Sequence, residues 1–226
     1  ALLSVIFALL TQYMMSNQVA TGLGLTMVGL GLSALIGKPY EGIKSPTLAK
    51  IEIPILSDIP ILGPMIFSHD AIVYFSIFVI ALVAFVINKT RIGLVLRAVG
   101  ENQEAAHALG YKVIRIRFIA IMFGGATAGI GGAYISLARV PQWTEGMTAG
   151  AGWIALALVV FASWKPWRVL VGAYLFGGIT VLQLNLQAIG VAIPVEILSM
   201  SPYLVTIVVL VGISLFGHHT APGSLA

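Results

Sequence analysis

Long apolar stretches, each stopped by charge or proline and several of them long enough to cross a bilayer, leave this chain few folds to choose from. A hydrocarbon core about 30 Å thick takes about 20 mostly apolar residues per helix. Stretches of that character cover residues 19–36, 71–88, 118–138 and 169–187, with shorter ones at 1–15, 153–164 and 203–216. Hydrophobic side chains make up 59% of the 226 residues and charged ones only 9%, where a soluble domain carries about 25% charged. That balance excludes a soluble globular domain, a nucleic-acid-binding module and a disordered tail. The expected class is all-α, a polytopic transmembrane helical bundle of about six or seven spans or part-spans, organised as a single transmembrane domain over 1–226. The chain opens inside an apolar run with no basic stretch before it. This reads as a helix begun further upstream rather than a signal peptide, so the domain is expected to be N-terminally incomplete.

Charge orients the array. Between Asn88 and Phe118, Lys89, Arg91, Arg97, Lys112, Arg115 and Arg117 outnumber Glu101 and Glu104, and Lys165 and Arg168 fall on the same side. On the other side, Lys38, Lys44, Lys50 and Arg139 are outnumbered by Glu41, Glu52, Asp58, Asp70, Glu145 and Glu196. By the positive-inside rule, 97–117 is a cytoplasmic loop and 38–70 an external one. The net charge of +4 is therefore accounted for by membrane orientation and not by nucleic acid. The external loop carries Pro39, Pro46, Pro54, Pro60 and Pro64, which predicts an extended cap and not a helix. Gly125 with Gly129, Ala128 with Gly132, and Ala173 with Gly177 have the small-xxx-small spacing that lets membrane helices pack closely.

Catalytic chemistry finds little support. There is no cysteine, so thiol nucleophiles, zinc–thiolate sites and iron–sulfur clusters are excluded. His69, His107, His218 and His219 all lie in loops or the tail, and no span carries a clear carboxylate. The nearest approach to a phosphate loop runs from Gly31 to Pro39. Gly31 and Gly37 are one residue too far apart for that motif, and Pro39 stands where the magnesium-binding hydroxyl belongs. The expectation is a non-enzymatic chain with no cofactor or metal site of its own.

The cytoplasmic stretch from Arg97 to Gly110 is more informative. Asn102 has the chemistry of a helix cap, Glu104 falls in the first turn where negative charge suits the helix dipole, and Gly110 suits a left-handed terminator. The spacing predicts a two-turn helix whose Ala105, Ala106, Ala108 and Leu109 form a small apolar knob able to dock in a groove of another protein. Polar side chains at membrane depth are costly and mark substrate paths or interhelical hydrogen bonds. Asn17 and Gln18 open the second span, and Gln183 and Gln187 share a face in the sixth, whereas Asn185 points elsewhere. Amides offer both donor and acceptor to a neutral polar solute. Trp143, Thr144, Glu145 and Thr148 are candidates for the outer mouth of the path, and Trp153, Trp164 and Trp167 for interfacial anchors.

Glu104-Ala105-Ala106, three residues, then Gly110 resembles the EAA loop of ABC-importer permeases, whose short coupling helix docks on the ATPase subunit. Arg97-Ala98-Val99-Gly100-Glu101-Asn102, Thr144-Glu145-Gly146-Met147-Thr148-Ala149-Gly150 and Trp153-Ile154-Ala155-Leu156-Ala157-Leu158 narrow the resemblance. They are similar to the permeases that work with basic-membrane-protein-type binding lipoproteins, within the broader branched-chain amino acid permease superfamily. The likeness runs from about Asn17 to Pro202; Ala151 departs from it, standing where a basic residue is expected. The resemblance implies a permease subunit of an ATP-driven importer in a bacterial inner membrane, carrying a nucleoside or simple sugar. It implies an ABC ATPase holding ATP and magnesium, a second permease subunit (a paralogue or another copy) and an extracytoplasmic binding lipoprotein as partners. Glu104, Ala105, Ala106, Leu109 and Gly110 would couple to the ATPase. The residues alone also allow a stand-alone channel or secondary transporter, or a purely structural membrane scaffold.

Overall fold

The computed structural model describes residues 1–46, 50–52, 68–148 and 150–190, with isolated positions beyond 196. Eight α-helices account for most of them: α1 (Leu2–Gln12), α2 (Gln18–Gly37), α3 (Ala71–Lys89), α4 (Arg91–Glu101), α5 (Gln103–Ala108), α6 (Val113–Tyr134), α7 (Ala151–Phe161) and α8 (Pro166–Ala188). A 3-10 turn, Lys38–Tyr40, continues α2, and a π-helical segment, Ile135–Arg139, continues α6. Four helical stretches are long and apolar enough to cross a membrane: Gln18–Tyr40, Ala71–Lys89, Val113–Arg139 and Pro166–Ala188. These are the four long spans expected from sequence, with the third beginning five residues earlier than predicted. Two of the three shorter candidates become helices of 11 residues, α1 and α7. At 1.5 Å per residue each is about 16 Å long, half the hydrocarbon core. The candidate span at 203–216 lies almost wholly outside the described residues.

The chain divides into two compact units, one of Ala1–Ser76 with Val95–Ala149 and one of Ile77–Leu94 with Gly150–Ala226. In the first, α1 packs against both α2 and α6, antiparallel to each. Leu3 lies 3.5 Å and Phe7 3.8 Å from where side chains on Gly29 and Gly22 of α2 would begin, which is ordinary contact. On the other flank α6 comes closer. A β-carbon on Gly125 would fall on the side chain of Ser4, and further along the ring of Tyr13 meets that of Phe118 edge-on, centroids 6.4 Å apart. Glycine at 125 is thus required by the backbone approach itself. Gly129, Gly132 and Gly177 have nothing within 4 Å among the described residues, so their small-xxx-small spacing does not produce close packing there.

Hydroxyls inside these helices turn back on the backbone. Thr26 donates to the Gly22 carbonyl at 2.8 Å, and Thr180 to that of Phe176 at 2.9 Å. Such bonds satisfy a donor that lipid cannot. The buried apolar residues among those described are only Ala8, Ala84, Val99, Ala106 and Ala162, whereas Leu35 is 74% and Trp153 72% exposed. A helix apolar all round with its large side chains outermost is built to face lipid or other membrane helices.

One end of the first unit is tied by backbone pairing. Glu41 and Trp143 form a parallel bridge, Lys44 and Gln142 an antiparallel one, and the Ser45 N–H donates to the Pro141 carbonyl at 2.8 Å. The indole of Trp143 covers Gly37 at the end of α2, where no β-carbon would fit. The expected extended cap contains a short antiparallel ribbon, β1 (Lys50–Glu52) with β2 (Ser68–Asp70), in register Lys50 to Asp70, so the all-α reading needs this one addition. The rest of the expected extended cap, with Pro54, Pro60 and Pro64, lies outside the described residues.

In the second unit, α7 and α8 form a hairpin. The chain turns through Ser163 and Trp164, both with positive φ, and the Phe161 ring lies 2.7 Å from where a side chain on Gly172 would start. The span α3 ends at Thr90, whose hydroxyl donates to the Val86 carbonyl at 2.7 Å and accepts from the Gly93 N–H at 3.2 Å. Thr90 therefore closes one helix and caps the next. The stretch 88–118, read as a loop around one short helix, in fact holds two, α4 and α5.

Gly125→Val is expected to lower the stability of the purified protein by about 1–3 kcal/mol, the usual cost of overpacking. Gly129→Ala, into open space, should leave stability unchanged or slightly raised. Thermal unfolding of both variants in detergent checks the pair, and equal losses would contradict the packing described.

Candidate coupling helix and translocation path

The short helix α5 is defined at both ends by its own sequence. Asn102 is extended, with φ −146° and ψ 109°, and its carboxamide oxygen accepts from the Ala105 N–H at 2.9 Å. Glu104 occupies the first turn. At the other end Gly110 has φ +84°, its N–H bonds the His107 carbonyl at 2.9 Å, and the Tyr111 N–H bonds that of Ala106 at 3.2 Å. This pair of bonds is a Schellman termination, which glycine makes without strain. A helix of six residues would not persist alone in water, so these caps, together with its packing, give it a fixed shape.

Leu109, Ala105 and Ala108 are exposed, Leu109 at 75%. Ala106 is not: at 2% exposure it points inward, so the apolar knob expected from sequence must be redrawn without it. At helical spacing Ala106 lies about 100° from Ala105, far enough to fall beside the exposed face and not on it. The helix is fastened to α6 by the Arg117 guanidinium, which donates to the Gln103 side-chain oxygen at 2.8 Å. It therefore sits at the N-terminal end of α6. At the C-terminal end of α6, the Tyr134 hydroxyl donates to Asp70 at 3.5 Å, and the paired segments 41–45 and 141–143 follow the π-helical turn.

The path candidates fall in different surroundings. Asn17 caps α2, its side-chain oxygen accepting the N–H groups of Val19 and Ala20, both at 3.0 Å. That cap accounts for an asparagine at this point without any solute. Gln18, the first residue of α2, is exposed. Trp143 is likewise engaged, packed on Gly37, and is a fastening between segments more than a free wall of the mouth. Glu145 and Thr148 are exposed in the turn that follows. In the other unit, Gln183 and Gln187 lie one helical turn apart on α8, both half-buried and both without a hydrogen-bond partner among the described residues. Asn185, on the other side of the helix, donates to the Val181 carbonyl at 3.0 Å.

Sequence reading passed over one polar pair. Thr11 and Gln12, at the end of α1, are the buried polar residues among those described, at 5% and 6% exposure. The signal was present as a Thr-Gln pair within an otherwise apolar run. Among the described residues no group of three or more His, Asp or Glu side chains could hold a metal ion.

Residues 1–213 match a protein family described as the permease component of branched-chain amino acid transport systems. TsgC13 of Haloferax volcanii, provisionally named a glucose ABC transporter permease protein, is 37% identical over 230 residues, covering 92% of this chain and 70% of its own length. NupQ of Bacillus subtilis, named a guanosine ABC transporter permease protein, is 35% identical over 223 residues, covering 94% of this chain and 69% of its own length. NupC of Lactococcus lactis, named a nucleoside ABC transporter permease protein, is 38% identical over 70% of the chain and 51% of its own length. No solved structure matches. Apolar spans, a capped helix between two of them and a match along nearly the whole chain lead to one assignment: this membrane protein belongs to the permease-component family of branched-chain amino acid transport systems, within the ABC transporters.

Proposed function

We propose that the chain is the membrane-spanning permease subunit of an ATP-driven importer and passes a nucleoside or simple sugar across a bacterial inner membrane in a multi-pass arrangement. The solute class rests on the names carried by the three relatives. A binding lipoprotein delivers the solute on the outside, and a second permease subunit, a paralogue or another copy, completes the path. ATP and magnesium are held by a separate ATPase, because the stretch from Gly31 to Pro39 lacks the spacing and hydroxyl of a phosphate loop. The α5 end of α6 is cytoplasmic, in keeping with the basic residues around it.

The observation that carries this reading is α5 itself, capped at both ends, pinned to a long membrane helix through Arg117, and exposing Leu109. When the ATPase closes on ATP it displaces α5. The displacement reaches α6 as a rigid-body movement and exchanges outward-open and inward-open arrangements. The chain supplies no energy of its own; it converts a partner's movement into access.

Leu109→Asp places a charge in the docking face and leaves Asn102 and Gly110 in place. In proteoliposomes holding the complete transporter, ATP-driven uptake is expected to fall at least tenfold, with the ATPase no longer co-purifying. Uptake at the wild-type rate would sink the reading, and uptake that continues without ATP would make the chain a channel or secondary transporter.

Gly110→Val forces a β-branched residue to φ +84°, a cost of about 1–2 kcal/mol, and should also impair uptake. Gly110→Asn, which tolerates the left-handed region, should retain most of it. Equal uptake by the two variants would remove the Schellman turn from the mechanism.

A further inference from the structure

We propose that Thr11 and Gln12 form a solute-contacting subsite in which Gln12 offers one acceptor and one donor to adjacent hydroxyls of a ribose or hexose ring. The inference rests on the function proposed above and adds to it a pair of residues, a place and a chemical group recognised. Their burial is the first argument. In a unit whose other buried residues, among those described, are Ala8, Gly37, Val99 and Ala106, an adjacent threonine and glutamine are enclosed to 5% and 6% exposure. Burying an amide among membrane helices is unfavourable unless its groups are used.

The hydrogen bonds fix which way the amide faces. The Thr11 hydroxyl donates to the Phe7 carbonyl at 2.7 Å, so its oxygen can only accept from Gln12, which it does from Nε2 at 3.3 Å. Gln12 is left with its carbonyl oxygen and its second N–H, neither with a partner among the described residues. No fully enclosed side-chain polar atom among those residues lacks a partner. The free carbonyl oxygen of Gln12 therefore still opens on accessible space. A donor and an acceptor about 2.2 Å apart on one planar amide match two neighbouring hydroxyls, each of which can both give and take a hydrogen bond.

The location is suited to transport. Tyr13, next to Gln12, stacks edge-on with Phe118, and Arg117, next to Phe118, holds Gln103 of α5. The subsite thus lies at the end of α6 that carries the coupling helix, where a displacement of that helix arrives first.

The test uses the complete transporter in proteoliposomes, with uptake measured for a ribonucleoside and its 2′-deoxy analogue, and for glucose and 2-deoxyglucose. Each variant is compared with wild type solute by solute. Gln12→Leu is expected to reduce uptake of the transported hydroxylated solute at least tenfold and of its deoxy analogue less than threefold. Gln12→Met, closer in shape, should behave alike and decides the matter if the leucine variant fails to assemble with the ATPase. No loss, or equal loss for hydroxylated and deoxy solutes, overturns the subsite and leaves a structural role. If wild type imports none of the four solutes, the solute class proposed above falls, a separate result.

Discussion

Lipid offers no hydrogen bonds, and most of what is distinctive in this chain follows from that constraint. Every backbone N–H and C=O at membrane depth must find a partner within the protein, so the apolar stretches can only be helices. Side-chain donors obey the same rule: Thr26 and Thr180 each turn back one turn to a carbonyl. Helix ends are the weak points of such a scheme, and the chain treats them one at a time. Asn17 closes the start of α2, Thr90 joins the end of α3 to the start of α4, and Asn102 and Gly110 close α5 at both ends. By contrast Gly150, before α7, makes no side-chain cap, and α7, like α1, is too short to span.

Contact between helices is governed by a second consequence. Lipid is as apolar as leucine, so burying leucine gains little, and helices associate where their backbones can approach. Gly125 against Ser4, Gly37 beneath Trp143 and Gly172 beside Phe161 are three such approaches, and each excludes even a methyl group. These three glycines set the geometry of α6 with α1, of α2 with the 141–143 segment, and of α7 with α8. The large aliphatic side chains lie outermost.

How much of this the sequence disclosed depends on the range of the forces involved. The long spans and the caps at Asn102 and Gly110 were legible because hydropathy, side-chain capping and a left-handed glycine are local: the residue and its neighbours within a turn decide them. Orientation around a helix is less local. Ala106 could not be told from Ala105 by composition, and only packing against the rest of the unit turns it inward. Gly125 and Gly129 share one motif, yet among the described residues only Gly125 has a close neighbour, since the motif states a capacity and not a partner. Asn17 and Gln12 show the same limit from opposite sides. Both are amides near the end of an apolar run, but one is committed to a cap and the other is buried with half its hydrogen-bonding capacity free.

That contrast bears on the coupling proposed for α5. In that proposal, force applied to α5 would act on a helix that would unravel without its caps, so the caps would determine whether a push is transmitted or dissipated. The next link, Arg117 to Gln103, is a single exposed hydrogen bond, too weak to hold against a load by itself. Transmission must therefore depend on the short covalent connection from Gly110 to Val113 as well, with the side-chain bond selecting the angle at which α5 stands to α6. From there α6 continues as 27 helical residues to Arg139, about 40 Å, with a π-helical turn at its far end. A rod of that length carries a small tilt at one end into a displacement of several ångströms at the other. The π turn, one residue wider than the α-helix it interrupts, is the natural place for the rod to yield. Tyr134 and Asp70 join α6 to the start of α3 immediately before that turn.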